Sequence, residues 1–103
     1  MAERSQYVTL GVADEVFAAP VSKVQEILDM RPIARLPRAP DNLLGMIDVR
    51  GKGIPVLDLR RTLGIESMTD TENTRILVLA VNGPQGELTV GLRADRVFEV
   101  TVL

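Results

Sequence analysis

A mainly β fold of small barrels is what this sequence predicts, on three observations. Val, Leu and Ile dominate the apolar residues, and Tyr7, Phe17 and Phe98 are the only aromatics, a bias that suits pleated, half-buried surfaces. Six to eight short apolar runs stand between turn signals. Helical spacing lasts for a turn or two at most. At 103 residues, 46 % of them hydrophobic, the chain has room for one compact domain or two very small lobes sharing a core.

The elements follow in order. Gln6 to Val12 alternates, with Val8, Leu10 and Val12 on one side, and Ala13-Asp14-Glu15 breaks it before Val16 to Ala19 resumes, which reads as a hairpin. Pro20 opens a helical turn or two through Val21, Val24, Ile27 and Leu28, with the Glu26–Leu28 end already leaning to extended chain. Arg31-Pro32 blocks continuation. The proline-rich run from Arg31 to Pro40 predicts an edge strand with Ile33 and Leu36 facing inward. Leu43 to Val49 and Ile54 to Leu57 form two strands joined at Arg50-Gly51-Lys52-Gly53, where glycine tolerates positive φ. Asp58 to Leu63 makes one helical turn ended by Gly64, and Glu66 to Asn73 is a loop. Thr74 to Val81 and Glu87 to Leu92 form a hairpin across Asn82-Gly83-Pro84-Gln85-Gly86, and Val97 to Leu103 is a last extended run.

One internal echo goes beyond periodicity. Lys23-Val24-Gln25-Glu26-Ile27 and Arg96-Val97-Phe98-Glu99-Val100 each follow the second arm of a hairpin, 73 positions apart. Two related units result, a first barrel mainly over 7–63 and a second mainly over 74–103. Some thirty residues follow the echo in the first unit, including the Gly45–Leu57 strand pair, but only Thr101-Val102-Leu103 in the second. The second barrel is therefore expected to be incomplete, with unpaired strand edges that drive self-association by strand exchange or edge pairing.

Composition excludes several chemistries. Without Cys or His there is no disulfide, thiolate nucleophile, Cys/His zinc site or histidine base, and no cofactor or metal is expected. No run of eighteen apolar residues exists and Met1 to Gln6 lacks the form of a signal peptide, so the expectation is a soluble cytoplasmic chain without direct membrane insertion. Residues 31–61 carry seven basic groups against three acidic ones, between acidic flanks. That segment has no aromatic platform for bases and the pI is near 5.1, so nucleic acid is not the expected partner. Asp48 and Asp58 are poor catalytic carboxylates, because no second group or pocket accompanies them. Arg50 stands out at the tip of an apolar strand beside Gly51, its planar fork open either to a partner's carboxylate or to an internal bridge with Asp48 or Asp58. Val24, Ile27, Val97 and Val100 are either core or the lining of a protein-binding groove.

The run Ile33 to Pro40, then Leu44-Gly45-Met46-Ile47-Asp48-Val49-Arg50-Gly51, then Ile54-Pro55-Val56-Leu57-Asp58-Leu59-Arg60, resembles the signature of CheW, the chemotaxis coupling-protein family. Val24-Gln25-Glu26-Ile27 and the stretch from Val90 to Val100 match it as well. The resemblance implies one CheW-like domain over 1–103, built as two intertwined SH3-like barrels, in which the second is incomplete because members normally continue some tens of residues past Val100. It implies a non-enzymatic adaptor, free of cofactors, bridging the cytoplasmic tip of a chemoreceptor to the regulatory domain of a CheA-type histidine kinase. Carried over by position, Arg50 and Gly51 match the receptor-facing motif, Val24, Glu26 and Ile27 match residues near kinase and receptor contacts, and Gly45 matches a glycine leading to Arg50. Asp48 stands where the family usually has Asn. The competing readings are an Asp48/Asp58 hydrolase, a self-assembling structural module, and an excised regulatory domain of the kinase itself.

Overall fold

A computed structural model describes residues 6–102; most of the Met1 to Gln6 start, and Leu103 at the end of the last expected extended run, lie outside them. Eight strands make up most of the described residues: β1 (Gln6–Val12), β2 (Glu15–Pro20), β3 (Val24–Asp29), β4 (Leu43–Val49), β5 (Lys52–Asp58), β6 (Arg75–Gly83), β7 (Gly86–Ala94) and β8 (Arg96–Val102). A four-residue helix, α1 (Leu59–Thr62), follows β5. Asp58 caps it by accepting the Arg60 N–H at 3.2 Å, and Gly64 leaves it at φ 78°. Among the described residues no helix is long and apolar enough to cross a membrane.

The strands form two curled sheets, β2-β1-β8 and β3-β6-β7-β5-β4. All pairings are antiparallel except β5 with β7, where Val56, Leu57 and Asp58 lie beside Gly91, Leu92 and Arg93. The third strand of each unit leaves its own hairpin for the other unit. β3 pairs with β6, and β8 pairs with β1. The strands on each side of the sequence division therefore intertwine. Period-2 alternation along β6 then serves two cores: Ile76 and Val78 pack with Leu28, Ile47, Val49, Ile54 and Val56, whereas Leu77 and Leu79 pack with Val8, Leu10, Val12 and Ala94. Full burial of side chains of this size stabilises the fold by about 1.5–3 kcal/mol each.

The echoed motif is a bulged strand. Between Val24 and Glu26 the β3 register slips by one, and between Val97 and Val100 β8 gains one residue on β1. In both strands the bulge places the second and fifth residues of the motif opposite positions that face the same core (Val24 and Ile27 across from Leu79 and Leu77, Val97 and Val100 across from Leu10 and Val8).

Three local expectations are corrected. The turn after Pro20 is a single 3-10 turn, Val21–Lys23, because β3 gains a full ladder on β6 from Val24 onward. Among the described residues the 31–40 stretch joins the β4 ladder only by the single bridge between Ala34 and Met46, and Leu36, two residues beyond that bridge, is 42 % exposed instead of inward-facing. The β6–β7 ladder runs on to Gly83 and Gly86, leaving a two-residue turn where a five-residue loop was expected.

Candidate functional site

The β4–β5 hairpin closes with Val49 opposite Lys52, so Arg50 and Gly51 are the two turn residues. Both have positive φ, 52° and 83°, the pattern of a type I′ turn. Asp48 stabilises the turn by accepting the Gly51 N–H at 2.8 Å. Its carboxylate is therefore spent on the backbone and is not the partner of Arg50.

That partner is Glu26. The Arg50 guanidinium donates to Glu26 Oε1 at 2.9 Å, while the Arg50 side chain stays 80 % exposed. The bulge at Gln25 makes the contact possible: it puts Glu26 opposite Val78, on the first-core side of the sheet, whereas Val24 next door turns to the second core. A cavity of about 230 Å³ lies here, with Val49, Ile54 and Val78 as its apolar floor and Glu26, Arg50 and Lys52 as its charged lining. An exposed ion pair of this kind is worth about 0–1 kcal/mol. The Arg50 fork is therefore free to exchange Glu26 for a partner's carboxylate at little cost.

The other expected residues sit around this centre. Ile27 is 43 % exposed on the opposite face of β3, and Val24 is half-buried against the second core. Gly45 is buried, opposite Val56 and well up the hairpin from Arg50. Thr89 and Lys52 complete the cavity lining and were not singled out from the sequence; only the position of Lys52 in the turn segment hinted at it.

The carboxylate pair of the hydrolase reading is not assembled. Asp48 lies opposite Gly53, and Asp58 is five residues further along β5, about 17 Å away at strand rise. Asp58 is buried, 3.6 Å from Arg93 Nη1, and accepts the Ser67 hydroxyl at 2.6 Å. Arg93 also grips the 66–73 loop, through Asp70 at 2.6 Å and the Met68 carbonyl at 2.9 Å. Nearby, Arg60 pairs with Asp95 at 2.9 Å, and Asp95 accepts the Ala13 N–H at 2.7 Å. Burial pushes the Asp95 carboxyl up, but the hydrogen bonds from Arg60 and Ala13 outweigh it and hold it below the usual aspartate range; the Asp95 hydrogen bond in turn raises Arg60. These groups tie β1, β7 and α1 together. Among the described residues no cluster of acidic side chains is arranged to hold a metal ion.

Comparison with known proteins gives the same picture. The model of the CheW-like domain family matches residues 6–103. Chemotaxis protein CheW of Helicobacter pylori is 29 % identical over 94 residues, covering 91 % of this chain and 54 % of that protein. Its namesake in Klebsiella aerogenes is 29 % identical over 98 residues, covering 95 % of this chain and 57 % of that protein. The crystal structure of the scaffolding protein TtCheW from Thermoanaerobacter tengcongensis superposes with a TM-score of 0.87 at 29 % identity, over 96 % of this chain and 65 % of that one. The chain thus spans a little over half the length of the two curated relatives. Its curled sheets are those of SH3-like barrels, and with the family model matched along almost its whole length, the chain belongs to the CheW-like domain family.

Proposed function

We propose that this domain works as a cytoplasmic, non-enzymatic adaptor that couples the cytoplasmic tip of a chemoreceptor to the regulatory domain of a CheA-type histidine kinase. The observation that carries the reading is the Arg50 turn: an exposed guanidinium on a rigid hairpin, held by one weak ion pair above an apolar floor. A charged anchor beside desolvated apolar area is the composition of a protein-docking hot spot. In this reading Arg50, Gly51 and Glu26 form the contact, Ile27 adds apolar area on the far side of β3, and Val24 and Gly45 contribute by fixing the strands that carry them. Arg50→Glu places a second carboxylate beside Glu26 and is expected to weaken binding of a receptor-tip fragment at least about tenfold. Its thermal unfolding should match the parent, because the side chain is exposed. Titration calorimetry checks the affinity, and a folded Arg50→Glu protein that binds receptor and kinase fragments as tightly as the parent would refute the reading.

The same domain is proposed to self-associate. Among the described residues β2 pairs only with β1, so its outer edge carries no ladder, and Val16 on it is 63 % exposed. In the related unit the equivalent arm, β7, accepts β5 in parallel. An open edge with apolar side chains recruits another strand. Light scattering should therefore give a mass that rises with concentration in the micromolar range, and Val16→Lys should return it to the monomer. A constant monomer mass in the parent sinks this part of the proposal.

A further inference from the structure

A second cavity, about 590 Å³, shares no lining residue with the one at Arg50. Four arginines line it: Arg31 and Arg35 from the proline-rich stretch, Arg61 from α1 and Arg93 from β7. Arg93 is balanced by Asp58 and Asp70. The other three are not. Arg31 and Arg35 make no ion pair among the described residues, and Arg61 donates only to the Ser67 hydroxyl, at 2.7 Å. Asp41 is the one remaining acid on the lining. At the buried side of the cleft, Arg93 Nη1 makes no hydrogen bond among the described residues, its ion pair with Asp58 Oδ1 spanning 3.6 Å, although the residue is only 3 % exposed.

We propose that this cleft binds a glutamate-bearing segment of a protein partner, one carboxylate seated among Arg31, Arg35 and Arg61. Each guanidinium offers a planar pair of donors matched to a carboxylate. The walls include Met30, Ile33 and Leu44, which pack on the first core and suit the aliphatic stem of such a side chain. The volume is that of a site for several groups and not for a bare ion. Asp41 and Asp70 at the same cleft oppose a doubly charged phosphate more than a singly charged carboxylate. The backbone that carries two of the arginines is held in place. The Ala34–Met46 bridge, with hydrogen bonds of 2.9 and 2.8 Å, pins the segment between Arg31 and Arg35 to β4, so binding has side chains and not this backbone to order.

The test is a nuclear magnetic resonance titration of the whole chain with the peptide Gly-Glu-Leu-Glu-Glu-Leu-Gly, beside its all-glutamine counterpart and inorganic phosphate and citrate. The acidic peptide should move the amides around Ile33, Leu44 and Arg61 and the side-chain Nε–H signals of Arg31 and Arg35. The glutamine peptide should bind at least about tenfold more weakly. Arg31→Gln with Arg35→Gln, both at exposed positions, should cost a similar factor, whereas Arg50→Glu should leave this affinity in place and so separates the cleft from the adaptor site. Equal binding of the two peptides overturns the proposal, as does loss of binding with Arg50→Glu alone. If phosphate or citrate reproduces every shift of the acidic peptide, the cleft is a simple anion site and the proposal also fails.

Discussion

Replacing Arg93 with Met is expected to lower the unfolding free energy by about 3–5 kcal/mol, the cost of removing one member of a buried ionic group. The stem of Arg93 would be kept and the guanidinium lost. Asp58, which is 1 % exposed, would then retain only its helix-cap contact and the Ser67 hydroxyl. Asp70 and the Met68 carbonyl would lose the donors that hold the 66–73 loop over the end of β7. The effect should therefore appear twice, in urea unfolding and in faster amide exchange across that loop. A double-mutant cycle distinguishes lost charge balance from lost packing. If stranded charge on Asp58 is the cause, Asp58→Asn should cost much less in the Arg93→Met background than in the parent. Additive costs would contradict that account, and so would a loss under about 1 kcal/mol for Arg93→Met alone.

This buried ionic group shows which parts of the molecule are legible in one sequence. Hairpins were readable because alternation and turn chemistry are local: Arg50-Gly51 announces its own turn, and Asp58 its helix cap. The echo of Lys23–Ile27 in Arg96–Val100 was readable as a repeat, but its structural meaning, a bulge that reassigns which core each side chain enters, depends on which strand lies opposite. Membership of the family came from the motif around Arg50, the densest local signal in the chain. The partner of Arg50 was not readable, because Glu26 reaches it only through the sheet order β3-β6-β7-β5-β4. The contact of Arg93 with Asp58 has the same origin, since β5 and β7 are parallel neighbours separated by some thirty residues. Leu36 misled for the converse reason. An apolar residue in a proline-rich stretch looks like an inward-facing strand residue, yet one bridge at Ala34 supplies no sheet to bury it.

Gly45 is the second position where a single atom should matter most. Its φ is 149°, which side chains disfavour, and a Cβ there would collide with the carbonyl oxygen of Ala34 and press on the Ile33 methyl at 2.8 Å. The obstruction is backbone, and both hydrogen bonds of the bridge between Ala34 and Met46, the residue after the glycine, hold it in place. Relief therefore requires the proline-rich stretch to move off β4. Backbone strain of about 1–3 kcal/mol and overpacking of about 1–3 kcal/mol together predict a loss of about 2–6 kcal/mol for Gly45→Ala. For a domain of this size that lowers Tm by at least about 8 °C. The consequences differ by site. Detaching the stretch removes Arg31 and Arg35 from the cleft, so binding of the acidic peptide should fall even in protein that remains folded below its Tm. The Arg50 turn, closed by its own hairpin and by Asp48, should keep its geometry. Calorimetry of unfolding together with the two binding assays reads both effects. A Gly45→Ala protein as stable as the parent would mean that the Ala34 carbonyl does not lie against this glycine, and with it would go the anchoring assigned to the 31–40 segment.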